Sequence, residues 1–349
     1  MKHITLFLFM LPLVVFSQTN ILNAKSPTEI GKSSVDDEVY APQNPLDYGF
    51  IDEKDVLFSK TIWEEINLDE RVNFPLYYPI DTLVVGNERR PLIHYLLTAA
   101  MQSDYPIYKK DNFKDLLSVE DLDKKQRYRI IRAGTDENIG LERIINESGN
   151  KEDFLVQRGI DVGEYASMDE SLLNDDDYNE YESRMEELIF ENNLLSEDEY
   201  SEEVFSYADV VKYRIKGVWY FDKRQSDLRY RPIAIAPVVV TPRSKAMMKE
   251  FSDPNMKPDY VELFWIFYPD ARYTLHNAKA FNNNNTSKPV TFDHLINSRR
   301  FTGYIYKQDN VYQDRSVKDY ISDNALMQLL ESQRIKEKIR NLEQDMWSY

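Results

Sequence analysis

The sequence predicts an α+β protein of mixed helices and antiparallel hairpins, ending in a long C-terminal helix. Three stretches carry that prediction. Val210 to Val240 reads as two strands around the turn Gln225-Ser226-Asp227, with the aromatic run Trp219-Tyr220-Phe221 on the first strand. Pro91 to Met101 places Leu92, Tyr95, Leu96 and Ala99 at helical spacing behind a proline suited to a first turn. Val317, Ile321, Ala325, Leu329, Ile335, Ile339, Leu342 and Met346 then recur three or four residues apart with few interruptions, and Lys336, Glu337, Lys338 and Arg340 cover the opposite face.

In chain order, Lys2 and His3 precede an apolar run of 13 residues, Ile4 to Phe16, with small residues at Val15 and Ser17. This is the pattern of an export signal cleaved after Ser17, and the run is too short to cross a bilayer unaided. The competing reading is a buried N-terminal strand. Residues 18–45 are polar and read as a flexible linker, reaching roughly 30 Å as a coil. An N-terminal α+β lobe follows over 46–160. It opens with Val56, Phe58, Ile62, Trp63 and Ile66 as a helix or a strand-plus-helix. The turn Asn73-Phe74-Pro75 comes next, then a strand at Thr82–Val85, the helix from Pro91, a short strand at Ile107-Tyr108 and a helix opening at Val119.

Residues 161–205 form an acidic insert. Between Asp161 and Glu203 there are 17 acidic residues and one basic residue, Arg184, whereas the rest of the chain holds 43 acidic and 42 basic residues. Nucleic acid is excluded as a partner for such a segment, which repels phosphate. Two structural readings fit it: a solvated, mobile linker, or one amphipathic helix over about Tyr178 to Asn192. A C-terminal α+β lobe covers 206–316. In it Pro232 and Pro237 push the second hairpin strand toward an edge, Val261 to Tyr268 reads as one strand, Asp270 as the cap of a helix reaching His276, and Thr291 as a further cap. The amphipathic helix takes 317–349. Ile107-Tyr108-Lys109-Lys110-Asp111-Asn112 resembles Ile305-Tyr306-Lys307-Gln308-Asp309-Asn310, and Trp63 and Trp219 precede Pro75 and Pro232 by similar distances. A duplication giving two related lobes around the insert explains this, and so does coincidence.

Signs of enzyme chemistry are sparse. There is no cysteine, which excludes disulfides, thiol catalysis and a lipid-bearing cysteine of the chain's own. His94, His276 and His294 lack the spacing of paired metal ligands. No glycine-rich phosphate loop or nucleophile elbow occurs. Asp175-Asp176-Asp177 lacks the remaining ligands of a calcium loop. No catalytic, cofactor or metal residues are therefore expected. The constellation that points to function is arginine beside bulky aromatics: Trp219, Tyr220, Phe221, Arg224, Arg229 and Arg231 on the hairpin, Arg299 and Arg300 after it, and Trp347 at the end. Such mixtures form partner interfaces, and equally ordinary hairpins whose arginines lie along apolar surface.

Longer motifs resemble the GldN/PorN family of gliding-motility and type IX secretion proteins. They are Val218-Trp219-Tyr220-Phe221-Asp222-Lys223-Arg224-Gln225-Ser226, Arg231-Pro232-Ile233-Ala234-Ile235-Ala236-Pro237, Leu263 to Arg272, and Phe292 to Phe301. Trp63, Phe74-Pro75-Leu76-Tyr77-Tyr78-Pro79 and Asp345-Met346-Trp347 agree. The resemblance implies a Bacteroidetes periplasmic protein, peripheral to the inner face of the outer membrane. It would build a ring with copies of itself and a GldK/PorK-type outer-membrane lipoprotein, and contact the periplasmic part of a GldM/PorM-type motor protein. No catalytic residue or cofactor comes with the family, and no span of the membrane. The alternatives are a periplasmic carbohydrate-active enzyme, which needs paired carboxylates in a cleft, or a soluble ligand-binding protein.

Overall fold

The computed structural model describes residues 44–81, 89–131, 140–163, 175–251, 258–282, 290–311, 314–322 and 324–347. The expected signal peptide, most of the expected linker and the expected strand Thr82–Val85 lie outside them. The strands used below are β1 (Val56–Asn67), β2 (Ile107–Tyr108), β3 (Arg127–Ile131), β4 (Tyr200–Val204), β5 (Val210–Asp222), β6 (Asp227–Val240), β7 (Trp265–Phe267) and β8 (Tyr304–Gln308). The helices are α1 (Leu92–Met101), α2 (Gly140–Ser148), α3 (Lys151–Gln157), α4 (Asp175–Glu191), α5 (Tyr268–Asn277), α6 (Phe292–Asn297) and α7 (Ala325–Trp347). The class is α+β, as the sequence predicts.

Two compact units divide the chain, one drawn from Met1–Val119, Tyr207–Val239 and Glu262–Tyr349, the other from Glu120–Ser206 and Val240–Val261. This is a different division from an N-terminal and a C-terminal lobe. The reason is β1, which pairs antiparallel with β5 along nearly its whole length and with β8 on its other side. The first lobe's opening segment is thus a central strand of the sheet formed by the second. It is wholly strand, without the helical component that the spacing of Val56 to Ile66 allowed, because Trp63 to Ile66 are all buried and both faces of the strand are used.

The larger unit's sheet runs β8-β1-β5-β6-β7-β2, all antiparallel. Directly opposed residues share a face. One face therefore carries Ile62, Ile66, Tyr213, Ile215, Ile235, Ile266 and Ile107, and the other Trp63, Lys216, Ala234, Trp265 and Tyr108. On the first face Ile335 and Ile339 of α7 pack with Ile62, Ile305 and Val317. On the second, Trp63, Ala234, Ala236 and Trp265 cluster with Tyr108, Phe113 and Tyr306. The two similar hexapeptides supply the two edge strands, β2 and β8, of this one sheet.

Pro232 and Pro237 do not place β6 at an edge. Its pairing with β7 is confined to Ala234 and Ile235, between the prolines, so neither proline needs to donate to β7. The stretch Val261–Tyr268 is broken into Tyr260–Glu262 and Trp265–Phe267 by the fully buried Leu263 and Phe264, and Tyr268 already belongs to α5. Asp270 sits in the first turn of α5 without capping it, whereas Thr291 does cap α6, its hydroxyl accepting from the His294 amide at 3.2 Å. The C-terminal segment is two helices, Val317–Tyr320 and α7, with Ile321 adopting a non-helical backbone between them.

The smaller unit pairs β3 with β4 and packs α2, α3 and α4 around Ile144, Phe154, Leu155, Tyr181, Met185 and Ile189. The acidic segment is therefore not a mobile insert throughout. Tyr181, Met185, Leu188 and Ile189 lie on one stripe of α4 and enter the core, while Lys151, mostly buried, binds Glu182 and Glu186. This unit holds 29 acidic and 13 basic residues, a net of −16, which leaves the larger unit at −1.

Candidate partner interface

The hairpin β5–β6 positions most of the arginines and aromatics singled out by the sequence. Trp219 lies opposite Tyr230, their rings 5.2 Å apart. Gly217 makes room for this arrangement, since a Cβ there would stand 2.2 Å from the Tyr230 hydroxyl. Arg299, just past α6 at φ +51°, turns back beneath the hairpin. Its guanidinium lies 4.2 Å from the Tyr230 ring centre, 4.9 Å from Trp219 and 5.2 Å from Phe301, and grips Glu64 through two bonds of 2.8 Å. Glu64 is 1% exposed. Burial works to lower the Arg299 pKa, but the bond to Glu64 outweighs it and the guanidinium is held above its ordinary value.

Tyr220 and Phe221 are also buried. What reads in sequence as an exposed arginine-aromatic surface is thus largely interior: Trp219, Tyr220, Phe221 and Arg299 serve packing and one buried ion pair. Alternation along a strand hides this, because an aromatic run has no polar residue to mark which face is wet.

Arg224 and Arg231 have a second intramolecular task, which the sequence did not show. They hold the extended segment that leads into the fold. Arg224 donates to the Phe50 carbonyl at 2.8 Å, Arg231 to that of Gly49 at 3.1 Å, and Arg272 of α5 to that of Leu46 at 2.7 Å. The Tyr48 ring lies 4.7 Å from the Arg231 guanidinium and 4.1 Å from that of Arg272, and its hydroxyl donates to Asn297 at 2.7 Å. Burial lifts this hydroxyl to about 12, with Arg272 pulling the other way. Asp293 anchors the assembly by accepting from Arg272, Tyr268 and Asn297. Arg272 lies within a motif that the family resemblance covers, but nothing local ties it to a residue 226 positions away. Arg231→Ala is expected to remove about 1 kcal/mol from this clasp. Proteolysis at Phe50 should then run roughly fivefold faster with an unchanged melting temperature. Equal cleavage rates would mean that Arg224 and Arg272 hold the clasp without Arg231.

Arg224, although it holds Phe50, is as exposed as Arg229, and Arg229 and Arg300 are exposed outside the clasp, Arg229 lying 3.5 Å from Asp227. Trp347 ends α7, and its side chain lies outside the described residues, as do those of Asp175 to Asp177 at the start of α4. On the sheet's second face Arg214 joins Glu65, at 3.2 Å, to Glu262, at 2.5 Å, while Lys212 and Tyr304 also reach Glu65. Burial raises the Glu65 pKa, but these partners more than reverse it and hold the carboxylate below its usual range. Glu65 and Glu262 thus share one guanidinium in a salt network. His94 bonds the Tyr207 hydroxyl at 2.9 Å. Among the described residues no cluster of His, Asp or Glu is arranged to hold a metal ion, and no helix is long and apolar enough to cross a membrane.

These features define an α+β protein whose longer motifs build an antiparallel sheet, its clasped entry segment and a helical edge. The sequence matches the family model of the gliding motility associated protein GldN over residues 51–348, and the chain belongs to that family. Comparison with curated proteins gives no match.

Proposed function

We propose that the protein is a non-catalytic structural subunit of the gliding-motility and type IX secretion machinery. The observation that carries this is the family match, which takes in almost every described residue of both units. A GldN-family chain is a component of that machinery, and the family is not known for an enzyme activity. In the fuller reading the exported chain works in the periplasm and forms a ring with a GldK/PorK-type outer-membrane lipoprotein, which holds it at the membrane. The ring meets the periplasmic part of a GldM/PorM-type motor protein. The exposed arginines of the predicted set that take no part in the clasp, Arg229 and Arg300, are the candidates for those contacts. The Glu65 carboxylate, held below its usual range by its cationic partners in a network with Arg214 and Glu262, supports an architectural reading over an acid–base one.

The test is co-expression with the lipoprotein from the same envelope, purification through a tag on either protein, and imaging of the eluate. Co-purified rings are expected. A folded, lipidated partner that leaves this chain alone in solution would sink the assembly reading.

A further inference from the structure

The first turns of α7 carry an apolar face that is largely exposed among the described residues. The helix buries only Ser332, Ile335 and Ile339 among its described side chains. Leu326, Met327, Leu329 and Leu330 are 66%, 50%, 53% and 52% exposed. Together they offer roughly 400 Å² of apolar surface, the size of patch that marks interaction sites on otherwise soluble proteins. A groove of about 520 Å³ runs beside them between α7 and the start of β8, lined by Thr302, Tyr304, Leu329, Gln333, Lys336 and Arg340. A standard interface takes about 800 Å² from each partner, so the apolar patch needs a polar rim of similar area. The next turns supply one. Arg334, Lys336, Lys338 and Arg340 stand against Glu331 and Glu337, a local excess of positive charge on exposed or half-exposed positions.

We infer that this face of α7 docks the acidic smaller unit of a second copy of the chain. The occupant follows from charge. The larger unit is close to neutral, and the smaller unit carries a net of −16, so the chain itself is the complementary surface for an apolar face with a basic rim. The smaller unit also offers apolar side chains to meet Leu326 and Leu330: Ile145 and Val156, 49% and 52% exposed, on the packed helices α2 and α3. A two-fold contact of α7 with itself would instead repeat the same positive excess on both sides. Contact between two different surfaces passes from copy to copy and closes into a ring or runs on as a filament. The inference deepens the assembly reading above by giving the ring its subunit-to-subunit surfaces.

The test uses the chain without residues 1–17. Sedimentation velocity at about 5 to 100 µM in low salt should show self-association that weakens roughly tenfold when salt is raised through the range where exposed charges are screened. Leu326→Glu/Leu330→Glu and Arg334→Glu/Lys338→Glu should each weaken it at least tenfold with unchanged circular dichroism, the second losing its salt dependence as well. Carbodiimide coupling of a mixture of unlabelled and ¹⁵N-labelled chains should join Lys336 or Lys338 to carboxylates of the smaller unit across the two isotopes. Monomer throughout, couplings confined to one chain, or couplings between two α7 helices would each overturn the inference. It fails apart from the assembly reading: a chain that is monomeric alone yet forms rings with the lipoprotein loses only the α7 contact.

Discussion

Arg299→Ala should lower the unfolding free energy by about 3–5 kcal/mol, the cost of leaving one member of a buried ion pair without its partner. Glu64 sits on the helix-covered face of β1, two residues from Ile62 and two from Ile66, all three essentially inaccessible. Both of its oxygens are taken by Arg299, and the Lys336 ammonium acts on it only through a longer-range attraction. The guanidinium also fills the space between Trp219, Tyr230 and Phe301, so its removal opens a void under the hairpin as well. Urea unfolding of two variants, Arg299→Ala and a charge-free double variant, separates these effects. Arg299→Ala should be the worse. Glu64→Gln/Arg299→Met, which keeps the volume and removes the charges together, should recover most of the loss. A single-variant cost below about 1 kcal/mol would place the pair among weak, screened surface bridges.

That pair also shows where sequence reading stops. Regular elements were legible where a period or a cap marks them: α1 behind Pro91, the turn at Gln225-Ser226-Asp227, Thr291 as a cap, and the hairpin itself. Their bounds agree closely with the observed ones. Burial was not legible, because it depends on which strand lies alongside. Nothing in the sequence marks Glu64 and Glu65 as interior, yet insertion of β1 between β5 and β8 sends them to opposite faces and buries both. The reverse error occurs in α7, where Leu329 fits a core stripe by spacing yet lies open to solvent. Periodicity reports that a helix has an apolar side, not that the side is covered.

The same limit governed the acidic segment, and composition alone favoured a solvated linker there. Charge density is a property of the outer face of α4, whereas Tyr181, Met185, Leu188 and Ile189 recur at three- and four-residue intervals on the inner one. Lys151 supplies the missing counter-charge from α3, its ammonium bonded to Glu182 and to Glu186, and Tyr181 donates to Glu152 at 2.7 Å. Neither partner is near in sequence, so the neutralisation could not be read from the acidic run itself.

Phe154→Ala is the decisive test of that packing, with an expected cost of about 3–5 kcal/mol. The ring is fully buried among Ile144, Leu155, Met185 and Ile189, and the Arg158 guanidinium lies 3.5 Å from its centre. A loss of this size is a third or more of the stability of an ordinary domain. Because each unit has its own core, the damage should stay local: amides of α2 and α4 should lose hydrogen-exchange protection while those of β1 and β5 keep theirs. The comparison with the unsubstituted chain matters as much. Slow exchange over 181–190 there, abolished by Phe154→Ala, establishes α4 as a structural member of the smaller unit. Fast exchange over the same amides before any substitution would return the segment to a solvated arm and remove the folded acidic surface on which docking at α7 depends.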